Sequence, residues 1–425
     1  MHKRLPLLSI FIVACYLVVM TIFFVSGMIA GPGRVYPDSS DEPTLDPDLL
    51  NATPHPAVNT PDTDNIVTVQ MPEPVKVKGI YYNLWFPEDD ALGHCIELIE
   101  TTELNAIVID VKDDSGLITF QTDNEMLAAT SRELAIRFTD YESIHEMISD
   151  LKSRGIYTIA RIVCFKDNRY ANSNPSLAIL NRNGEVWRDN ADIRWLNPHN
   201  RGSWEYIAEI CREAARIGFD EVQLDYVRFP LEGSLGTINY GEAAEEQVRY
   251  EIITDFVAYI REEMAKFGVW TSADIFGIVA MSYSDSRQVG HNVQNLLGNL
   301  DYICPMIYPS HFANSSNGSM GNGVGQTING LLFERPDTQP YEVIYNSLQH
   351  FVRHIDEFSA ENPGEEHAIV RPYLQNFTAS YLREGYFVQY TPDVIKEQIR
   401  AVYDAGFDEW LLWANVNNYS AEIFS

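Results

Sequence analysis

The chain has 425 residues, of which 45% are hydrophobic and 21% charged, so it is long enough to bury a large core. Its 60 acidic and 30 basic residues give a formal net charge of -30, which repels nucleic acid phosphates and anionic lipid headgroups and argues against nucleic acid as a partner. Neutral or cationic partners, such as uncharged glycans, fit this charge better.

The N-terminus has the pattern of a membrane anchor. Residues 5–30 form an almost uninterrupted apolar run after His2, Lys3 and Arg4, and about 20 apolar residues are enough to cross a bilayer. We therefore expect residues 1–30 to hold a basic cytoplasmic end and a single-pass transmembrane signal anchor, with the rest of the chain on the extracellular side of the cell membrane. A cleaved secretory signal and a lipoprotein signal ending at Cys15 are the alternatives.

Residues 31–74 are rich in Pro, Asp, Thr and Asn and contain few large apolar side chains. Such a segment cannot bury enough surface to offset its chain entropy. It is predicted to be a disordered linker, which leaves residues 75–425 as the globular domain.

From residue 77 onward, short β-branched or aromatic runs alternate with longer amphipathic runs. Strands are predicted over residues 77–85, 105–112, 157–165, 221–229, 269–276, 302–308, 368–375 and 409–415. Helices are predicted over residues 94–102, 141–154, 202–217, 245–267, 341–358 and 392–405, several of them ending at a glycine.

Eight strands alternating with helices predict an α/β fold of the (β/α)8 TIM-barrel type. An open doubly wound sheet is the competitor, but no glycine-rich phosphate turn follows the first strand. The long connections, at residues 166–200, 231–245 and 309–340, follow the third, fourth and sixth strands, so we expect a long, open groove at the C-terminal ends of the strands.

Polar side chains occupy barrel-facing positions toward those ends, where Val, Ile and Leu would ordinarily fill the interior. Two of them, Asp225 and Asp274, are on neighbouring strands and are predicted to be the catalytic carboxylates, one ionised and the other protonated. Each residue also has a possible structural role in place of a catalytic one. For Asp225 it is an ion pair with Arg228 or a hydrogen-bonded position in the barrel, and for Asp274 it is a helix N-cap.

Further residues at the strand ends are predicted to bind substrate, either through polar groups or by stacking aromatic rings on sugar rings. They are Tyr82, Asp110, Lys112, Arg161, Gln223, Arg228, Tyr308, Gln375 and Trp413. An interior salt-bridge network is the competing explanation for Asp110 and Lys112.

No cofactor or metal is expected. The run Asp113-Asp114-Ser115-Gly116 lacks the remaining ligands of a calcium loop, and no histidine pair has zinc spacing. Outside the anchor, Cys95, Cys164, Cys211 and Cys304 match no metal or redox pattern and are predicted to be buried free thiols.

Six blocks, which occur in order at the predicted strands or just after one, resemble the bacterial "putative glycoside hydrolase domain" family, once classed as a domain of unknown function. They start at residues 77, 105, 159, 195, 223 and 301 and include Asn105-Ala-Ile-Val-Ile-Asp-Val-Lys-Asp113 and Gln223-Leu-Asp-Tyr-Val-Arg-Phe-Pro230. The resemblance runs from about residue 75 to the C-terminus. It implies a glycosidase-type barrel with Asp225 as the leading catalytic residue. The sequence departs from chitinase-like barrels because Pro309 follows Tyr308 and the Asp-x-Asp-x-Glu run is absent.

The leading hypothesis is a glycoside hydrolase that cleaves an extracellular or cell-wall polysaccharide. The alternative is a non-catalytic glycan-binding or envelope-scaffolding barrel. Deacetylation is a weaker third possibility, because it requires a metal that the spacing does not indicate.

Overall fold

The structure is a computed structural model that describes residues 70–84, 91–131, 141–242, 244, 247–313 and 325–425. The predicted anchor and nearly all of the predicted linker lie outside these residues. No helix in the described ranges is both long enough and apolar enough to span a membrane.

Eight parallel strands close into a barrel, which confirms the predicted (β/α)8 architecture. The strands are β1 (Lys78–Tyr82), β2 (Ala106–Lys112), β3 (Tyr157–Val163), β4 (Glu221–Asp225), β5 (Trp270–Phe276), β6 (Tyr302–Met306), β7 in two segments (Ile369–Val370 and Tyr373–Gln375) and β8 (Trp410–Trp413). Each strand pairs with the next in chain order. Pairing of Lys78 with Trp410 joins β8 to β1 and closes the ring.

Helices follow the strands and pack on the outside of the barrel. They are α1 (Ala91–Thr101), α2 (Tyr141–Ser153), α3 (Arg201–Ile217), α4 (Arg249–Ala265), α5 (Tyr283–Val289), α6 (Val293–Asn299), α7 (Pro340–Glu361) and α8 (Pro392–Asp404). The two short helices α5 and α6, between β5 and β6, were not predicted. Two N-cap side chains, Ser282 and Asn292, begin them, and each contains only seven residues, too few for a clear amphipathic period.

The core has two parts, because side chains on a strand point alternately outward to the helices and inward to the barrel axis. The outer part is aliphatic and aromatic, and the four cysteines of the described chain are buried free thiols, as predicted. The inner part contains Val108, Ile159, Tyr373 and Leu411 among its members.

A buried ionic cluster forms the floor of the barrel at the N-terminal ends of the strands. Arg371 interrupts β7, is 0% exposed and pairs with Glu221, the first residue of β4. Its guanidinium lies 3.7 Å from Glu409, just before β8, and the hydroxyl of Tyr157 donates to Glu221 at 3.1 Å. Arg371 therefore neutralises carboxylates at the floor, at the end opposite the predicted groove.

Candidate functional site

Arg161, on β3, is the centre of a charged cluster at the C-terminal ends of the strands. Its Nη1 donates to Asp110 of β2 at 2.8 Å, and its Nε and Nη2 donate to Oδ2 of Asp225 at 2.9 and 2.5 Å. Its Nη2 also reaches Asp114 at 3.0 Å. One guanidinium thus holds three carboxylates, which come from the two strands on either side of β3 and from the turn after β2.

Tyr81 belongs to this cluster and was missed by the sequence analysis, which chose Tyr82. The Tyr81 hydroxyl donates to Oδ2 of Asp110 at 2.6 Å. Tyr82 is 1% exposed and packs in the outer core against the helices. Tyr81 and not Tyr82 therefore faces the barrel interior. The sequence does not reveal this, because β1 is buried on both faces and its residues show no alternation.

Asp114 was also missed as part of the cluster. Its side chain is 49% exposed, unlike those of its neighbours, and Lys166 lies 3.5 Å from its second oxygen. Desolvation works against ionisation of Asp114, but the charges of Arg161 and Lys166 outweigh it and lower its pKa. Asp114 therefore presents an ionised carboxylate at the mouth of the barrel.

Asp225, the last residue of β4, is held by donors on both oxygens. Besides the two bonds from Arg161, its Oδ1 accepts the backbone N–H of Tyr226 at 2.6 Å. Tyr226 itself has a φ of +46°, a left-handed conformation that is strained for a bulky residue. The three donors fix the orientation of the Asp225 carboxyl group.

Asp274, on β5, is 3% exposed and makes no hydrogen bond to any residue in the described part of the chain. Its Oδ1 is fully buried and has no hydrogen-bond partner, whereas Oδ2 keeps some exposure to solvent. Burial first, and then the negative charge of Asp225, raise the pKa of Asp274 well above its usual value. The surroundings of Asp274 therefore favour its protonated form.

The two carboxyl groups are neighbours across one pair of strands. Gln223 pairs with Ser272 and Leu224 with Ala273, so the next residues along β4 and β5 are Asp225 and Asp274. Paired parallel strands are about 4.8 Å apart, and side chains at equivalent register point to the same face. The alternatives of an Asp225–Arg228 ion pair and of an Asp274 helix N-cap are both wrong, since Asp225 pairs with Arg161 and Asp274 lies within β5.

An aromatic wall, defined here as Tyr81, Tyr308, Phe377 and Trp413, lies on the β6–β8 and β1 side of the barrel. The Trp413 ring centre is 6.2 Å from Tyr81, 6.0 Å from Tyr308 and 5.3 Å from Phe377. Trp413 and Phe377 are half-buried, whereas Tyr81 and Tyr308 are buried. Tyr81 belongs to both the aromatic wall and the charged cluster, because its hydroxyl donates to Asp110. The wall therefore adjoins the Asp110–Arg161 cluster.

Lys112 lies on the outside of the barrel wall, which corrects its predicted inward position. The register of β2 shifts between Asp110 and Lys112, and this bulge moves Lys112 to the outward face. There its Nζ pairs with Asp167 at 2.9 Å, and both side chains are 0% exposed. The hydroxyl of Tyr206, on α3, donates to the same carboxylate at 3.2 Å. Lys112 is thus enclosed within the structure and has no path to a ligand.

Gln223 and Gln375 are both 0% exposed, so neither faces an open groove. Gln223 lies two residues deeper on β4 than Asp225 and accepts a bond from the Tyr373 hydroxyl at 2.7 Å. Gln375 accepts from Ser310 Oγ at 2.9 Å and donates to Asp337 at 3.1 Å. These two glutamines join strands and loops beneath the site.

Asp337 gives this loop network a pH dependence. Its Oδ1 accepts from Gln375 and, at 3.0 Å, from the Tyr390 hydroxyl, and burial raises its pKa from 3.8 to about 6. Because the folded state binds this proton more tightly than the unfolded state, the contribution to stability is full below about pH 4 and is lost as pH rises through 6. We expect the free energy of unfolding of the parent to fall between pH 4 and 7 by about 2–3 kcal/mol more than that of Asp337→Asn. Urea titrations across that range measure the difference, and parallel pH curves for the two proteins would contradict it.

Asp113, considered for a calcium site, instead closes a local turn. Its Oδ1 accepts bonds from the backbone N–H and hydroxyl of Ser115 and from the N–H of Leu117. No group of three or more His, Cys, Asp or Glu residues in the described ranges has the arrangement of a metal site.

Arg228 follows Asp225 by three residues and is surrounded by aromatic rings instead of carboxylates. Its guanidinium carbon lies 5.1 Å from the ring centre of Trp195 and 5.0 Å from those of Tyr226 and Phe276. Its Nη1 donates to the Phe229 carbonyl at 3.0 Å.

A family model described as "putative glycosyl hydrolase domain" matches residues 79–419, which include the whole barrel except its first residue. The chain belongs to this family. The match confirms the resemblance found in the sequence and shows that the residues form a glycoside hydrolase-type domain. The charged cluster described above lies within the matched residues.

The chain is similar to several solved structures. A hypothetical protein from Ruminiclostridium thermocellum is 35% identical over 46% of this chain and 96% of its own, with a TM-score of 0.40. The glycoside hydrolase domain of PgaB (BpsB) from Bordetella bronchiseptica is 14% identical over 83% of this chain and 99% of its own, with a TM-score of 0.54, a likeness of fold. An α-galactosidase from Thermus thermophilus is 14% identical over 81% of this chain and 58% of its own, with a TM-score of 0.46. No curated protein matches the chain significantly.

Proposed function

We propose that this protein hydrolyses glycosidic bonds of an extracellular or cell-wall polysaccharide with Asp225 and Asp274 as its carboxylate pair. The observation that carries the proposal is the contrast between the two groups. Asp225 is bonded to Arg161 and to a backbone N–H, whereas Asp274 has no bonding partner in the described chain and a pKa raised well above its usual value. Glycosidases require one ionised and one protonated carboxyl group across the scissile bond.

In the proposed mechanism, Asp274 is the general acid and donates its proton to the oxygen of the leaving sugar. Asp225 is the nucleophile and forms a covalent bond to the anomeric carbon as the glycosidic bond breaks. Water then attacks that carbon, the bond to Asp225 breaks and frees its carboxylate, and Asp274, now ionised, takes the proton from the water. The spacing of neighbouring strands is close to the carboxyl separation of about 5–5.5 Å in retaining enzymes, so we propose net retention.

The charged and aromatic neighbours support the binding of a sugar. Arg161 holds Asp225 and Asp110 in place, and the half-buried rings of Trp413 and Phe377 offer faces on which a pyranose can stack. We place Tyr308, Asp110 and Tyr81 beside them as residues that contact or orient the bound sugar. An extracellular location, with attachment to the membrane through residues 5–30, stays a prediction from the sequence.

The test is incubation of the full-length protein with a panel of plant, fungal and bacterial cell-wall polysaccharides, followed by assay of new reducing ends. At least one polysaccharide is expected to be cleaved, and Asp225→Asn should not cleave it. Binding of a polysaccharide without cleavage would instead indicate a non-catalytic glycan-binding barrel.

The pH dependence of cleavage follows from Asp274. Since its pKa is raised well above its usual value, the group keeps its proton as pH rises past the ordinary range of aspartate, and activity should decline only when that proton is finally lost. We therefore expect kcat/KM to persist well above pH 4 and to fall on an alkaline limb. A pH profile of initial rates checks this, and activity that declines from pH 4 upward would contradict it.

A further inference from the structure

Arg228 is held rigidly at the C-terminal rim of the barrel. The three rings around its guanidinium come from the loop after β3 (Trp195), the residue after β4 (Tyr226) and the end of β5 (Phe276). Contacts with three ring faces restrict the side chain and stabilise its charge in part. Arg228 follows Asp225 by three residues, and Phe276, one of the three rings, follows Asp274 by two.

No carboxylate among the described residues forms an ion pair with this guanidinium, although the charges of Asp225, Glu232 and Asp114 act on it from a greater distance. Asp225, the nearest carboxylate in sequence, is bonded to Arg161. Of the Arg228 nitrogens, only Nη1 has a hydrogen-bond acceptor in that part of the chain, the Phe229 carbonyl. Nε and Nη2 have no hydrogen-bond acceptor there, and both keep some exposure to solvent. Desolvation lowers the pKa of Arg228 from its ordinary value, so the folded protein retains a charge that its surroundings disfavour.

The other cations around the site have carboxylate partners. Arg161 pairs with Asp110, Asp114 and Asp225, and Lys166 lies against Asp114. Within the described part of the chain, Arg228 therefore differs from the other cations of the site, because it has two donor nitrogens that a ligand can reach.

We propose that Arg228 binds the carboxylate of a uronic acid residue in the substrate, next to the sugar that is cleaved. Nε and Nη2 form one edge of the guanidinium, and this edge binds a carboxylate through two parallel hydrogen bonds. The three rings lie 5.0–5.1 Å from the guanidinium carbon, and this edge has no acceptor among the described residues, so it is the edge offered to the ligand. The cleavage step rests on the proposed function, whereas recognition of the carboxylate does not. A phosphate group offers the same oxygen chemistry and is distinguished in the test.

The test is calorimetric titration of the full-length protein with methyl β-D-glucuronide, methyl β-D-glucoside and inorganic phosphate at 0.15 M salt. Charged hydrogen bonds of this kind are worth enough to favour the glucuronide over the glucoside by about tenfold or more. Arg228→Gln should abolish this preference. Arg228→Lys, which keeps the charge but loses the planar edge, should retain a small part of it.

Arg249→Gln is the matched control, because Arg249 also lies over aromatic rings, 5.0 Å from Phe229 and 5.7 Å from Tyr240, but belongs to α4. It should leave the preference unchanged. Equal binding of glucuronide and glucoside by the parent, a preference that survives in Arg228→Gln, or tighter binding of phosphate than of glucuronide would each overturn the proposal. Asp274→Asn should keep the preference while losing hydrolysis, so failure of the proposed catalytic function is seen separately.

Discussion

Replacing Asp274 with Asn is expected to lower kcat on an unactivated glycosidic bond by about 10²–10⁴-fold, the usual contribution of a general acid. The loss of kcat/KM, which reports the step that breaks the glycosidic bond, should nearly disappear for a glycoside with a nitrophenolate leaving group, which departs without a proton, whereas kcat should stay low because Asp274 is also the base for the attacking water. Asp225→Asn should lose activity on both substrates, because every turnover needs the bond to Asp225. Comparison of initial rates on the two substrates measures this split.

Asp337→Asn is the control for this experiment. Asp337 is also a buried aspartate with a raised pKa, but it belongs to the loop network at Gln375. Its substitution should leave both rates within a few-fold of the parent. Equal losses of kcat/KM on the two substrates in Asp274→Asn would show that Asp274 is not the acid, and full activity in Asp225→Asn would remove the proposed nucleophile.

Lys112→Met is expected to destabilise the fold by about 3–5 kcal/mol, the usual consequence of removing one partner of a buried ion pair. The carboxylate of Asp167 would remain fully buried without its cation, with donors such as the Tyr206 hydroxyl in place of an opposite charge. Chemical denaturation measures the loss of free energy of unfolding.

Two further measurements separate this structural role from the substrate-binding role first predicted for Lys112. The double variant Lys112→Met, Asp167→Asn should recover part of the lost stability, because no unpaired charge remains. KM of the folded Lys112→Met protein should match that of the parent. A raised KM with unchanged stability would mean that Lys112 reaches the substrate.

The sequence was sufficient to predict the barrel, because strand patterns and helix patterns alternate along the chain and glycines mark the ends of several helices. Each of these patterns is local in sequence. The inward parity of β4 and β5 was also predictable, since Gln223, Asp225 and Asp274 are polar at positions where a barrel interior is otherwise aliphatic. That pattern led to the pair of carboxylates that the structure places on neighbouring strands.

The errors have two physical causes. In β1, Tyr81 and Tyr82 are both buried, so the type of residue does not reveal which one faces inward. In β2, a bulge breaks the alternation between Asp110 and Lys112, and a bulge depends on pairing with the next strand, which sequence periodicity does not show.

The role of Arg161 as a common partner of Asp110, Asp114 and Asp225 was likewise beyond the sequence. Opposite charges on neighbouring strands allow several pairings, and closeness along the chain favours an ion pair between Asp225 and Arg228. The left-handed backbone at Tyr226 turns the chain immediately after Asp225, and Arg228 is found among aromatic rings.

The most direct test is a carbon-13 NMR titration of protein labelled at its aspartate carboxyl groups, with Asp274 assigned by comparison with Asp274→Asn. The account predicts that the Asp274 signal titrates well above the usual aspartate value of about 3.9, and that Asp225→Asn lowers its pKa by removing the neighbouring charge. A signal for Asp274 that titrates at or below 3.9, or that does not respond to Asp225→Asn, would contradict the assignment of one protonated and one ionised carboxyl group.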